Sequence, residues 1–155
     1  PAGLSSAEYQ ESYLSLLLSV TGGPDGNIDH QTWMGLHGRR GGYRTQWQAF
    51  FSDWDVVVCP VTAAAAFPHD HTPLQSRTVT VNGEPREYFE QVFWEGLATL
   101  SYLPGTVFPT GLSRNGLPIG LQAIGAAFDD RTTIEFARLM AQEMGGFVPP
   151  PGYSG

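Results

Sequence analysis

His69-Asp70-His71 sets one carboxylate between two imidazoles, side chains of the kinds that bind zinc. A structural zinc needs four ligands, and His30, His37 and the single Cys59 stand at no metal-motif spacing from this trio. The trio therefore reads as part of a solvated loop, and neither a metal nor another cofactor is expected. Cys59 lies inside an apolar run with no histidine beside it, surroundings that raise a thiol's pKa and leave it a poor nucleophile. Thr62, just past the Cys59-Pro60 end of that run, is a better binding candidate, because ligands of open α/β sheets gather at strand ends. The basic residues narrow the chemistry further: all eight are arginine and none is lysine. A guanidinium stays protonated at neutral pH and cannot serve as a general base.

Fifteen acidic residues against eight arginines give a formal charge of -7. That balance argues against nucleic-acid backbones and anionic membranes, which are bound through clustered positive charge. No apolar run reaches the ~18 to 20 residues needed to cross a bilayer, and the N-terminus lacks the basic and apolar regions of a signal peptide. One cysteine cannot form an internal disulfide, so a reducing, cytoplasmic setting is expected. A length of 155 residues with 41% hydrophobic and 15% charged residues suits a single segment with a packed core. Pro1-Ala2-Gly3, with no initiator Met, predicts a fragment or a cleavage product.

The elements that must carry these residues follow from hydrophobic period and punctuation. Ser5-x-x-Glu8 is a capping box that predicts a helix with a Tyr9, Tyr13, Leu16, Leu17, Val20 stripe, ended by Gly22-Gly23-Pro24. His30 to Ser52 is predicted as two helical pieces, because Gly35, Gly38, Gly41 and Gly42 interrupt it. The aromatic face of the second piece, Tyr43, Trp47, Phe50 and Phe51, is expected against a sheet. Asp55 to Pro60 reads as a strand buried on both faces, and Val61 to Ser76 as a long loop. Thr78 to Val81 and the residues from Glu84, joined by Asn82-Gly83, predict a hairpin. A helix over Arg86 to Tyr102 is predicted to carry Phe89, Phe93, Leu97 and Leu100 on one face.

Gly105 to Gly111 and Leu117 to Gly125 read as two strands around Ser113-Arg114-Asn115-Gly116. A last helix, capped by Thr132 or Thr133, is predicted to show an Ile134, Ala137, Ala141, Met144 stripe and to stop at Gly145-Gly146. Asp129-Asp130 complements its positive end, and the Pro149-Pro150-Pro151 tail is expected to be extended. The chain thus divides into residues 1–52 helical, 53–128 strands with a helix and a long loop, 129–144 helical, and an exposed tail over 145–155.

The Asp55-to-Pro60 strand, Leu103-Pro104-Gly105-Thr106-Val107-Phe108-Pro109-Thr110-Gly111, Gly116-Leu117-Pro118-Ile119-Gly120-Leu121-Gln122-Ala123-Ile124-Gly125 and Phe128-Asp129 occur in that order. Together they resemble the last third of amidase signature enzymes, over about Arg39 to Met144. The resemblance implies an α/β fold in which a mixed sheet is flanked by helices, this chain being its C-terminal part. It also implies hydrolysis or transfer of amide bonds by a serine nucleophile, a bridging serine in a cis peptide, and a lysine that takes the nucleophile's proton. None of the three is matched here: the chain has no lysine and no Gly/Ser-rich catalytic loop, so no catalytic residue is assigned to it.

Two departures from the family pattern stand out. Thr99 and Tyr102 replace the Asn and Gly that precede the Leu-Pro pair in many members. Val92-Phe93-Trp94 stands where the glutamine-dependent branch places an acid, which favours an apolar or aromatic acyl group over glutamine. Thr62, Phe93 and Trp94 are therefore the expected substrate-binding residues. Two readings follow: a C-terminal amidase fragment, inactive alone, whose partner is a small-molecule amide bound in the full enzyme, or a non-catalytic binding module on the same scaffold. Under either, self-association or association with a missing N-terminal part is expected, because truncating a sheet uncovers edge strands.

Overall fold

A computed structural model describes residues 28–153, so the Ser5–Glu8 cap and the Tyr9–Val20 stripe lie outside the described residues. Helix α1 spans His30–Phe50 and starts at Asp29, whose Oδ1 accepts the Thr32 N–H at 2.7 Å. It is one continuous helix, not the expected two pieces. Each glycine costs about 1 kcal/mol relative to alanine, yet one face of the helix, Leu36, Arg40, Tyr43 and Trp47, is buried and holds the turns together. Tyr43 does not face a sheet as predicted; it clusters with Leu100, Val92 and Leu97.

The main sheet is three-stranded and antiparallel, in the order β1-β5-β4, with β1 at Val56–Pro60, β4 at Gly105–Leu112 and β5 at Pro118–Gly125. Strand β1 is not buried on both faces. It pairs only with β5 among the described residues, and Val58 is 43% exposed. The predicted β4-β5 hairpin is present, with a bulge between Pro109 and Gly111 that Gly111 permits at φ 110°. Only the second half of β5, from Gln122 to Gly125, is buried; Pro118 and Ile119 are exposed.

Strands β2 (Thr78–Val81) and β3 (Glu84–Glu87) form the second predicted hairpin. Asn82 and Gly83, at φ 54° and 87°, supply the two left-handed residues that a tight turn of this kind requires. The helix expected from Arg86 is shorter. Pairing of Val79 with Arg86 and Thr78 with Glu87 captures its first residues, a 3-10 turn takes Tyr88–Gln91, and helix α2 covers only Val92–Thr99.

Helix α3, Asp130–Met144, packs on β4 and β5 and ends at Gly145 with φ 94°, as the glycine pair predicts. Its cap position is Asp129, not Thr132 or Thr133. Thr133 sits within the first turn at 1% exposure, donates to the Asp130 carbonyl at 2.9 Å and shares a 2.8 Å hydrogen bond with Thr106 of β4. The inward face consequently runs through Thr133 and Phe136, while Ile134 and Met144 of the predicted stripe point outward. Phe136 meets Phe108 edge-on at 5.8 Å on one side of the sheet, and Ala123 and Ile124 of β5 are fully buried. No helix among the described residues is long and apolar enough to cross a membrane.

Candidate functional site

Gln122 is the one polar side chain in the buried half of β5, and at 5% exposure its amide needs partners. Nε2 donates to the Pro60 carbonyl at 3.0 Å and to the Trp94 carbonyl at 2.9 Å. One amide thus ties the end of β1, where the Thr62 loop begins, to helix α2. Cys59 stands opposite Gln122 in the strand register; burial pushes its thiol up, and the hydrogen bond from Gln122 offsets this only in part.

Thr62 and the Phe93-Trp94 pair line two neighbouring clefts. Phe93 and Trp94, their rings 5.1 Å apart, border a cleft of about 450 Å3 together with Ala63, Val79 and Val81, and with Glu84, Arg86 and Glu90 at its polar rim. Thr62 borders one of about 310 Å3 with Ala64, Phe67, Tyr88 and Val92. Gln91 lies between the two and lines both. The Thr62 hydroxyl donates to the Ala64 carbonyl at 2.8 Å, which folds the loop back on itself. Neither cleft is lined by serine, cysteine, histidine or lysine, and the apolar side chains of each can hold an apolar group.

The His69-Asp70-His71 loop has a local organisation of its own. Asp70 accepts the Thr72 N–H at 2.9 Å and the Thr72 hydroxyl at 2.8 Å, and these bonds, with lesser help from Arg77 and His71, hold its carboxyl below the ordinary range. Among the described residues no three His, Cys, Asp or Glu side chains gather as a metal-ligand set.

Sequence reasoning did not foresee a contact between Arg40 and Tyr102. The buried Arg40 guanidinium donates to the Tyr102 hydroxyl and lies 4.3 Å from the centre of its ring. Tyr102 adopts φ 57°, the left-handed region that favours glycine. The signal was present in the sequence, since Tyr102 stands at the position where many amidase signature enzymes have glycine. Burial and the nearby Arg44 charge both lower the pKa of Arg40 from its ordinary value.

A Gly-Leu-Pro-Ile-Gly-Leu-Gln strand, locked by its glutamine to the strand ahead of the Thr62 loop and to the helix ahead of Leu103-Pro104, defines an α/β segment of amidase type. The chain belongs to the amidase family, whose model matches residues 24–134. It is 33% identical over 102 residues to the A subunit of glutamyl-tRNA(Gln) amidotransferase from Chelativorans sp. (strain BNC1), a match covering 66% of this chain and 19% of that protein. The corresponding protein of Anaeromyxobacter sp. (strain K) is 34% identical over 109 residues, covering 70% of this chain and 20% of the relative. The chain therefore spans about a fifth of the length of these curated relatives.

Solved structures share the fold. A chain from an unexpected vestigial protein complex that reveals the evolutionary origins of an s-triazine catabolic enzyme superposes with a TM-score of 0.65 at 23% identity, over 91% of this chain and 32% of its own length. The A subunit of glutamyl-tRNA(Gln) amidotransferase from Thermotoga maritima gives 0.61 at 21% identity, over 96% and 31%.

Proposed function

We propose that this chain is the C-terminal part of an amidase signature hydrolase that cleaves carboxamide bonds, and that it supplies scaffold and one wall of the acyl pocket. In this reading the serine nucleophile, the bridging serine and the lysine belong to the remaining portion of the enzyme, and the isolated chain is inactive. The observation that carries the reading is the wall itself: Phe93 and Trp94 over an apolar floor, with the Trp94 carbonyl held by Gln122, in a chain of the amidase family without a lysine.

Within that pocket Phe93 and Trp94 contact the acyl group and Thr62 borders it, so the substrate is a small amide with an apolar or aromatic acyl part. The enzyme works in the cytoplasm. The exposed edge of β1 and its half-exposed Val58 pair with the N-terminal portion or with another copy of the chain.

The test is to assay aryl and alkyl amides with the 155-residue chain and with a polypeptide extended upstream. Turnover is expected only from the extended form, and Trp94→Ala in that form is expected to raise KM for aryl amides more than for short alkyl ones. Turnover by the isolated chain that survives purification overturns the assignment. Failure of the extended form on every amide favours the non-catalytic module instead.

A further inference from the structure

A third cleft, of about 590 Å3, lies between α1 and the segments that precede β4 and follow β5, and shares no lining residue with the clefts of Thr62, Phe93 and Trp94. From α1 it presents Arg44 and Gln48, and from the other side Leu103 and Phe128. The hydroxyls of Thr45 and Ser52 on its rim are spent on carbonyls of their own helix, at 3.2 Å and 2.7 Å, which leaves Arg44 and Gln48 as the side-chain donors. Among the described residues no acid lines this cleft.

Among the described residues no carboxylate compensates the charge here. Arg44 forms no ion pair among the described residues, and Arg40, one turn earlier, is only 8% exposed, with Nε lacking any hydrogen-bond partner. Both guanidiniums flank the Tyr102 ring, at 4.3 Å and 5.9 Å. Two like charges drawn together without a carboxylate raise the free energy of the site, and an anion seated beside them lowers it. Across the cleft Phe128 is held at φ 68° with 90% of its surface exposed, a bulky aromatic in a disfavoured backbone state that leaves its ring free to cover a ligand.

We propose that this cleft binds a small carboxylate carrying an aryl or alkyl body. The planar fork of Arg44 takes the two carboxylate oxygens, the charge of Arg40 stands behind it, and the body lies on Leu103 and Phe128. A single exposed guanidinium facing an apolar wall suits a monoanionic carboxylate better than a multiply charged phosphate, and the volume falls within the ordinary range of small-molecule pockets.

Calorimetric titration of the 155-residue chain at fixed ionic strength, with phenylacetate and with neutral phenylacetamide, tests it. Saturable phenylacetate binding is expected, with phenylacetamide weaker by about tenfold and with Arg44→Gln costing about tenfold, the scale of one charge-assisted contact. Should Arg44→Gln fail to fold by circular dichroism, Phe128→Gly carries the same test, because the ring is exposed and glycine suits its backbone; several-fold weaker binding is expected. No saturable binding, equal binding of the amide, or unchanged binding by the folded variant overturns the proposal.

Discussion

The side-chain amide of Gln122 donates to the carbonyl of Trp94 at 2.9 Å and, through the same nitrogen, to that of Pro60 at 3.0 Å. A residue of β5 thereby sets the spacing between the Thr62 loop and the helix that bears Phe93 and Trp94. Gln122→Leu keeps the size of the side chain but removes two buried hydrogen bonds, at about 0.5 to 1.5 kcal/mol for each. The variant is expected to lose roughly 1 to 3 kcal/mol in urea unfolding and to shift its tryptophan fluorescence. Unfolding at the wild-type midpoint would show that the two bonds are dispensable.

Arg40 and Tyr102 make opposing contributions that a double substitution separates. In the wild type Tyr102→Gly removes the hydroxyl that accepts from a buried guanidinium, a loss of about 1.5 to 3 kcal/mol that outweighs the backbone relief, so it is expected to destabilise. In an Arg40→Met background that bond is absent, so Tyr102→Gly relieves the left-handed backbone and is expected to stabilise by about 1 kcal/mol. Thermal melts of the four proteins read the reversal of sign. A Tyr102→Gly change that destabilises equally in both backgrounds contradicts it.

Two glycines of the main sheet differ in the room around them. A Cβ on Gly125 comes within 2.7 Å of Thr133 Cγ2, where α3 lies directly on β5, whereas one on Gly105 finds nothing nearer than Ala98 Cβ at 3.7 Å. Gly125→Ala is expected to cost about 1 to 3 kcal/mol by overpacking. Gly105→Ala is expected to be neutral or to stabilise by about 0.5 kcal/mol, by restricting the unfolded chain. Equal melting shifts for the two variants would refute the packing account.

Cys59 gives stability a dependence on alkaline pH. Burial raises its folded-state pKa above that of the unfolded chain, so the stabilisation is complete below the ordinary thiol pKa of about 8.5 and is lost as pH rises through the raised folded value. Wild type is expected to lose stability relative to Cys59→Ala above about pH 8.5, and its thiol to react slowly with disulfide reagents until that range is passed. Parallel pH profiles for the two proteins would remove the thiol from the account.

Local signals located the elements well wherever the backbone itself carried the instruction. Asn82-Gly83 specified a tight hairpin turn because both positions take a left-handed backbone, and Gly145 stopped α3 for the same reason. The apolar Val56–Pro60 run and the β4-β5 hairpin were equally legible, as was the family to which they belong. Of the binding candidates, Phe93 and Trp94 are neighbours in sequence and share a cleft, while Thr62 stands across Gln91 from them, a separation that no spacing along the chain expresses.

The sequence by itself determined the α/β class, the amidase kinship and the absence of a lysine base, because strand runs, turn residues and composition are properties of the chain read in order. Tertiary structure alone decided where burial falls. It carried α1 through four glycines because Leu36, Arg40, Tyr43 and Trp47 are buried on one face, and it drew Arg86 and Glu87 out of a helix because β2 offered partners. It also put Thr133 rather than Ile134 against the sheet and brought Arg40 to Tyr102 across 62 positions of chain. Each of these outcomes depends on contacts between distant segments, whose free energy exceeds the roughly 1 kcal/mol that a local preference contributes.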